Sequence, residues 1–202
     1  MTAIDRFYPI VDSAAWVQRI VGIGAKFIQL RVKDKDEATL RREIGEALGV
    51  CRRAGAALVV NDYWRLALDL GANWVHLGQG DLEAADVPAI RAKGVKLGIS
   101  THSHEELERA LRFSPDYVAL GPIFPTILKA MAFAPQGLAR IGEWKRIIGA
   151  RPLVAIGGLN VERGAQCLAA GADSVSVVTD ITLNINPEAR TAEWIAMTRA
   201  AQ

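Results

Sequence analysis

The chain has 202 residues and a formal net charge of +2, from 24 Lys and Arg against 22 Asp and Glu. That near-balance argues against a protein built mainly to coat nucleic acid or a membrane surface, because such proteins carry a clustered basic excess. Half of the residues are hydrophobic and 23% are charged, the balance of a globular chain rather than a disordered one. The first apolar run, FYPIV at 7–11, reads as a strand. Next comes a junction that recurs along the chain: Gly-Ala followed soon by an apolar run. It stands at Gly24 before KFIQL, Gly55 before ALVV, Gly71 before NWVHL and Gly171 before DSVSVV. Glycine ends a helix in the left-handed conformation without a side-chain penalty, so each junction marks a helix followed by a short buried strand.

Between the first two junctions, Leu40, Ile44, Leu48 and Cys51 form one face of a helix over residues 36–54, and Asp34 with Glu37 resembles its capping box. VKLGIS at 95–100 is a further strand. Ser103 with Glu106 resembles a capping box for a helix carrying Leu107, Ala110 and Leu111. DYVAL at 116–120 and PLVAIGG at 152–158 are also strands, and Asn186 before Pro187 and Glu188 starts the last helix. Eight strands result, mostly separated by helices and apolar throughout. That pattern predicts a parallel sheet covered on both faces. Eight units favour an α/β fold of the closed (β/α)8 TIM barrel type. An open doubly wound sheet is the alternative, because pattern alone does not show closure. No linker or composition break divides residues 1–202, so one barrel domain is expected.

No basic start followed by an apolar run opens the chain, and no stretch of about 18 apolar residues occurs, so neither a targeting segment nor a membrane span is expected. Cys51 and Cys167 lie far apart without a CxxC, as expected of two reduced core thiols in a cytoplasmic protein.

In a barrel of this type chemistry gathers at the C-terminal strand ends. There the sequence places Gln29, Arg31 and Lys33 on one side of an extended segment. An Arg and a Lys side by side, if buried or half-buried, repel unless an anion lies between them; phosphate fits, with solvated loop charges as the alternative. Asn61 and Asp62 end the third strand; His76, Gly78, Gln79 and Asp81 follow in or after the fourth. Two carboxylates at adjacent strand ends suit a hard cation such as Mg2+, although each alone could cap the next helix. His76 reads as a hydrogen-bonded core histidine, and His102 and His104 as surface or capping groups. The apolar loop from Ile127 to Pro135 reads as a lid or as packing over the mouth. Gly157 and Gly158 after the seventh strand, with Val178 and Thr179 after the eighth, suit a phosphate approached by backbone N–H groups.

The motifs QLRVK, ND, HLGQGD, GIS, YVALGPIFPT with Lys129, VAIGG and SVVTDI occur in the order seen in thiamine-phosphate synthases, and the chain resembles that family from about Phe7 to Trp194. The resemblance implies a TIM-barrel transferase of thiamine biosynthesis. It would join an aminopyrimidine diphosphate to a thiazole phosphate and release pyrophosphate with the help of Mg2+. By position, Gln29, Leu30, Arg31, Val32, Lys33, Asn61, Ser100 and Lys129 would hold the pyrimidine diphosphate, and Asp62 and Asp81 would bind the metal. Thr126, Ile127, Leu128, Gly158, Val178 and Thr179 would hold the thiazole phosphate. Arg31, Lys33 and Lys129 would act on the leaving group. The partners implied are these small molecules, with a homodimer by resemblance only. The family commonly has threonine where Leu128 stands, so one hydroxyl donor is lost. Tyr63 replaces a frequent Arg, and Thr179 a common Ser. A thiazole tautomerase, or a noncatalytic phosphate-ligand sensor, stands as the alternative function. The tautomerase would need a proton-transfer residue where this chain has Pro122, and would not need the acid pair.

Overall fold

A computed structural model describes residues 4–126 and 134–200. Its strands are β1 (Phe7–Val11), β2 (Phe27–Leu30), β3 (Ala57–Asn61), β4 (Trp74–Leu77), β5 (Lys96–Thr101), β6 (Tyr117–Leu120), β7 (Leu153–Ile156) and β8 (Ser174–Val177). They pair in parallel in chain order, and β8 closes on β1 through Phe7↔Val175, Tyr8↔Ser176 and Pro9↔Val177. That last pairing makes the sheet a closed (β/α)8 barrel and removes the open-sheet alternative.

The helices are α1 (Ala14–Ile23), α2 (Glu37–Ala54), α3 (Trp64–Asp69), α4 (Gln79–Ala84), α5 (Val87–Ala92), α6 (His104–Arg112), α7 (Gly137–Ile148), α8 (Val161–Ala169), α9 (Thr179–Thr182) and α10 (Pro187–Ala200). The junction glycines behave as their sequence position requires: Gly24 and Gly55 cap α1 and α2 with φ of 115° and 62°. The cap at the start of α2 differs from expectation. Asp36, two residues beyond Asp34, accepts the Thr39 N–H at 2.9 Å, while Asp34 stands outside the helix with φ of 57°. Ser103 caps α6, but the Glu106 carboxylate reaches the His102 N–H rather than closing a capping box. Asn186 caps α10 through the Ala189 N–H at 3.1 Å.

The strands are mostly apolar on both faces because each face meets a different apolar layer, with buried polar residues such as Gln29, Asn61 and His76 as the exceptions. Ile28, Val60, Val75, Leu97 and Val118 point outward to the helices, where Trp144 and Trp194 are fully buried. Tyr8, Phe27, Trp74 and Tyr117 point inward with Ala57, Val59, Ala119 and Val154. Phe27 meets Tyr8 and Trp74 edge-on, with centroids 4.6 and 5.1 Å apart. Such edge contacts add about 0.5–1.5 kcal/mol each beyond area burial. On β5 this interior has no side chain at Gly98: a Cβ there would stand 2.0 Å from Cζ of Tyr117. The glycine is what lets the tyrosine ring cross the barrel.

Cys51 and Cys167 are buried free thiols, and burial pushes them up to about 11 and about 12, so neither is a nucleophile at neutral pH. Among the described residues no helix is long and apolar enough to cross a membrane.

Candidate active site

Three groups of side chains meet the C-terminal ends of the strands. The first is acidic. Asp62 follows β3 with φ of 63°, held there by its own N–H on the His76 carbonyl at 2.9 Å. Asp81 lies in the first turn of α4. Neither carboxylate caps a helix: Tyr63 and Gly78 hold the N-cap positions of α3 and α4, without side-chain cap bonds. Instead the two carboxyl groups lie close enough for their charges to interact. Burial first, and then the Asp62 charge, raise the Asp81 carboxyl above the usual carboxylate range.

Lys33 forms an ion pair with Asp62, whose side chain is 13% exposed. This corrects the expectation for the basic pair. Arg31 and Lys33 lie beyond the end of β2 and are exposed rather than half-buried, and the negative partner of Lys33 is a carboxylate of the protein. Arg31 is anchored by its backbone N–H on the Val11 carbonyl at 2.8 Å. Leu30 and Val32 are buried on either side of it, so they fix the backbone and offer no side chain to the mouth.

Two adjacent carboxylates are the donor set a hard cation takes. Among the described residues no group of three or more His, Cys, Asp or Glu could hold a metal. Asp62 and Asp81 would therefore fill only part of an octahedral shell, leaving the rest to water or phosphate oxygen, which is how Mg2+ is commonly held. The raised Asp81 has a measurable consequence. Ionising a carboxyl whose folded pKa is raised costs stability above that pKa, and the cost disappears as pH falls below the ordinary carboxylate value. Asp81→Asn is expected to raise the Tm of metal-free protein by about 1–3 °C at neutral pH. The gain should shrink as the pH is lowered through the carboxylate range; a lowered Tm at neutral pH would contradict the like-charge contact.

The second group is a polar line through the barrel floor. Gln29, 2% exposed, donates its amide N–H to the Tyr8 hydroxyl at 2.7 Å. Tyr8 and Tyr117 share a hydroxyl hydrogen bond of 2.8 Å. The Tyr117 hydroxyl lies 2.8 Å from His76 Nδ1, and His76 Nε2 lies 2.8 Å from the Ser100 hydroxyl. Burial raises both phenols and lowers His76 to about 4, the latter against the opposing pull of Asp62. His76 is thus the hydrogen-bonded core histidine its sequence position suggests. Asn61 is buried beside it in register, and Gln79 donates its amide to the Ser100 carbonyl at 2.7 Å. His102 and His104 sit elsewhere, bonded to Glu106 and Glu143.

The third group is the glycine cleft. Gly157 and Gly158 follow β7 with φ of 100° and 65°. A Cβ on Gly158 would stand 2.3 Å from the Pro125 carbonyl oxygen, so the turn and the Gly121–Thr126 segment fit only without that side chain. The Phe124 N–H donates to the Gly157 carbonyl at 3.0 Å. An open cleft of about 330 Å³ lies here, lined by Thr126, Gly158, Asn160, Arg163, Thr179 and Asp180 among others. Val178 precedes α9, and its carbonyl accepts the Ile181 and Thr182 N–H groups. Arg163 was not singled out by sequence. It donates to the Gly158 carbonyl at 2.7 Å and lies 4.8 Å from the centre of the Phe124 ring. Its signal was available: a cation in the first turn after the Asn160 cap, facing the glycine turn. Ile127, Leu128 and Lys129 lie outside the described residues, as do Met131 and Phe133 and most of the apolar loop.

A closed barrel whose mouth joins an acid pair and lysine on one side to a glycine-lined cleft with an arginine on the other has the layout of the (β/α)8 enzyme class, with its polar groups gathered at the C-terminal strand ends. Comparison with known proteins narrows the class. Residues 7–181 match the thiamine monophosphate synthase family. Among similar proteins, a thiamine-phosphate synthase of Rhizobium etli is 57% identical over 195 residues, spanning 96% of each chain. One of Salmonella paratyphi B is 45% identical over 190 residues, covering 94% of this chain and 90% of its own. A thiamine phosphate pyrophosphorylase of Pyrococcus furiosus, 24% identical, superposes with a TM-score of 0.86 over 97% of this chain and 96% of its own, and at that identity shows the fold. The chain belongs to the thiamine-phosphate synthase family.

Proposed function

We propose that this barrel, acting as one domain, joins an aminopyrimidine methyl diphosphate to a thiazole phosphate, giving thiamine phosphate and pyrophosphate. One observation carries this reading beyond family membership: two sites of different chemistry, one suited to a cation with its diphosphate and one to a monophosphate, lie at the C-terminal ends of the strands. The acid pair with Lys33 suits a diphosphate and its cation. The glycine cleft with Arg163 and Thr179 suits a monophosphate. A substrate pair carrying one of each group matches that division.

Asp62 and Asp81 would hold Mg2+, which when bound supplies positive charge at the departing diphosphate. The protein's own residues supply the rest. Arg31 and Lys33, with Lys129, neutralise the charge that grows on the diphosphate as the methylene carbon–oxygen bond breaks. The pyrimidine amino group donates electrons into the ring and stabilises the cationic methylene. The thiazole nitrogen then donates its lone pair to that carbon, and the diphosphate keeps the electrons of the broken bond. Gln29, Asn61 and Ser100 orient the pyrimidine; Thr126, Gly158, Val178 and Thr179, with the segment through Ile127 and Leu128, orient the thiazole phosphate. No strong base is required, so positioning and electrostatics account for the rate. A homodimer, implied by family resemblance, belongs to the same proposal and is read from the molecular mass in solution.

Purified protein given both substrates and Mg2+ should form thiamine phosphate and pyrophosphate in equal amounts, and omitting either substrate should stop both. Failure to form thiamine phosphate under those conditions refutes the assignment.

A further inference from the structure

The floor of the barrel holds three groups that the proposed chemistry does not use: the Tyr8, Tyr117 and His76 side chains. They form an unbroken line of hydrogen bonds from Gln29 on β2 to Ser100 on β5, with links of 2.7, 2.8, 2.8 and 2.8 Å. Tyr8 and Tyr117 are 1% and 0% exposed and His76 is 7% exposed, so bulk water competes little with these links. From this line we infer that Tyr8, Tyr117 and His76 are positioning residues: they fix the direction of the hydrogen bonds so that the Ser100 hydroxyl faces the mouth as a donor.

Counting protons gives the direction. A phenol has one proton to donate, and a neutral imidazole has one N–H and one bare nitrogen. Gln29 gives an amide N–H to Tyr8. Tyr8 therefore gives its proton to Tyr117, and Tyr117 gives its own to Nδ1 of His76. The imidazole keeps its proton on Nε2 and donates it to the Ser100 oxygen. The serine proton is then the one donor the line leaves over. Both ring nitrogens of His76 face hydroxyl groups rather than carboxylates, which suits the neutral form the count requires. Reversing the line would place the Tyr8 proton against the Gln29 amide N–H, a donor facing a donor. Buried chains of this kind also strengthen one another link by link.

The surrounding fold protects this geometry. Gly98 leaves the space through which the Tyr117 ring crosses to His76, and the two rings stack at 5.6 Å. Gln79 holds the Ser100 carbonyl from the other side. A donor at Ser100 selects an acceptor on the ligand, a ring nitrogen or a diphosphate oxygen of the pyrimidine substrate. This use of the line rests on the proposed function; the direction of the line does not.

The test therefore has two arms. Nitrogen-15 NMR of the unmodified protein at pH 7.5 reads the His76 tautomer directly. Protonation on Nε2 with Nδ1 bare supports the inference; protonation on Nδ1, or an equal mixture, overturns it. Kinetics reads the use of the line. Ser100→Ala should raise KM for the pyrimidine diphosphate about tenfold, the worth of one good hydrogen bond, with KM for the thiazole phosphate unchanged. Tyr8→Phe, three links away from Ser100, should do nearly the same, and the double variant should be no worse than either single one. Fully additive effects overturn the inference while leaving the synthase assignment intact. Tyr117→Phe repeats the cycle should Tyr8→Phe not fold. A protein that makes no thiamine phosphate refutes the function instead, and the tautomer alone then decides the direction of the line.

Discussion

Replacing Asp62 and Asp81 together with alanine should lower Mg2+-dependent turnover by ~10³-fold or more, the scale on which a preorganised charge acts at a transition state. The two residues stand at the end of β3 and in the first turn of α4, in contact with one another and with Lys33. Alanine at both removes the oxygen donors and also releases Lys33 from its partner. The fold should survive, because the acid pair caps no helix and its mutual repulsion is lost. A folded double variant with full Mg2+-dependent activity would overturn the metal assignment. Lys33→Met separates the contributions: it leaves the donors in place and should weaken diphosphate binding with less effect on the Mg2+ requirement.

Gly98→Ala should be among the most damaging single-methyl additions in the chain. The new Cβ would meet the Tyr117 ring at 2.0 Å for Cζ, 2.3 Å for Cε1 and 2.4 Å for the hydroxyl oxygen. Tyr117 has no free direction in which to retreat, since Tyr8, Phe27, Trp74 and His76 all lie against its ring. Overpacking of a filled interior costs about 1–3 kcal/mol and sometimes more. The upper end applies here, a Tm lower by about 6–12 °C at this size. Activity at permissive temperature should fall too, because a shifted Tyr117 no longer reaches His76. Tyr117→Leu in the Gly98→Ala background should recover part of the Tm without restoring activity. Equal Tm values for the two backgrounds would show that the clash is relieved elsewhere.

Much of the fold was readable because glycine punctuation and apolar runs are local signals. Gly24, Gly55, Gly71 and Gly171 announced the helix ends before four strands, and all four have positive φ. The bounds of α2 agree with the sequence to within one residue, but its cap is Asp36 rather than Asp34, because both are good capping types and only tertiary context chooses between them. Closure was not readable, since an open and a closed sheet share the same strand pattern. Asp62 and Asp81 stood out because acids at the ends of buried strands need a reason. The Lys33–Asp62 pair did not, because its members lie 29 residues apart and meet only through the barrel. Tyr8 and Tyr117 were hidden by their apolar rings: within FYPIV and DYVAL they count towards the strand, and nothing local reports what their hydroxyls touch. Arg163 was hidden for the opposite reason, as one more cation on an amphipathic helix.

The pairing of β1 with β8 also sets the order in which the molecule can be made. Of the eight barrel strands β1 is made first and finds β2 on one side early, but its other edge waits for β8, over 160 residues later. Until then both ends of the growing sheet carry unpaired backbone groups, the usual template for association between chains. Trp194 of α10, stacked 6.0 Å from Phe7 and bonded to Asp180, arrives later still and covers the seam where the sheet closes. The unclosed sheet is therefore the form open to aggregation until β8 pairs with β1, and chaperone dependence should be greatest for variants that slow this closure.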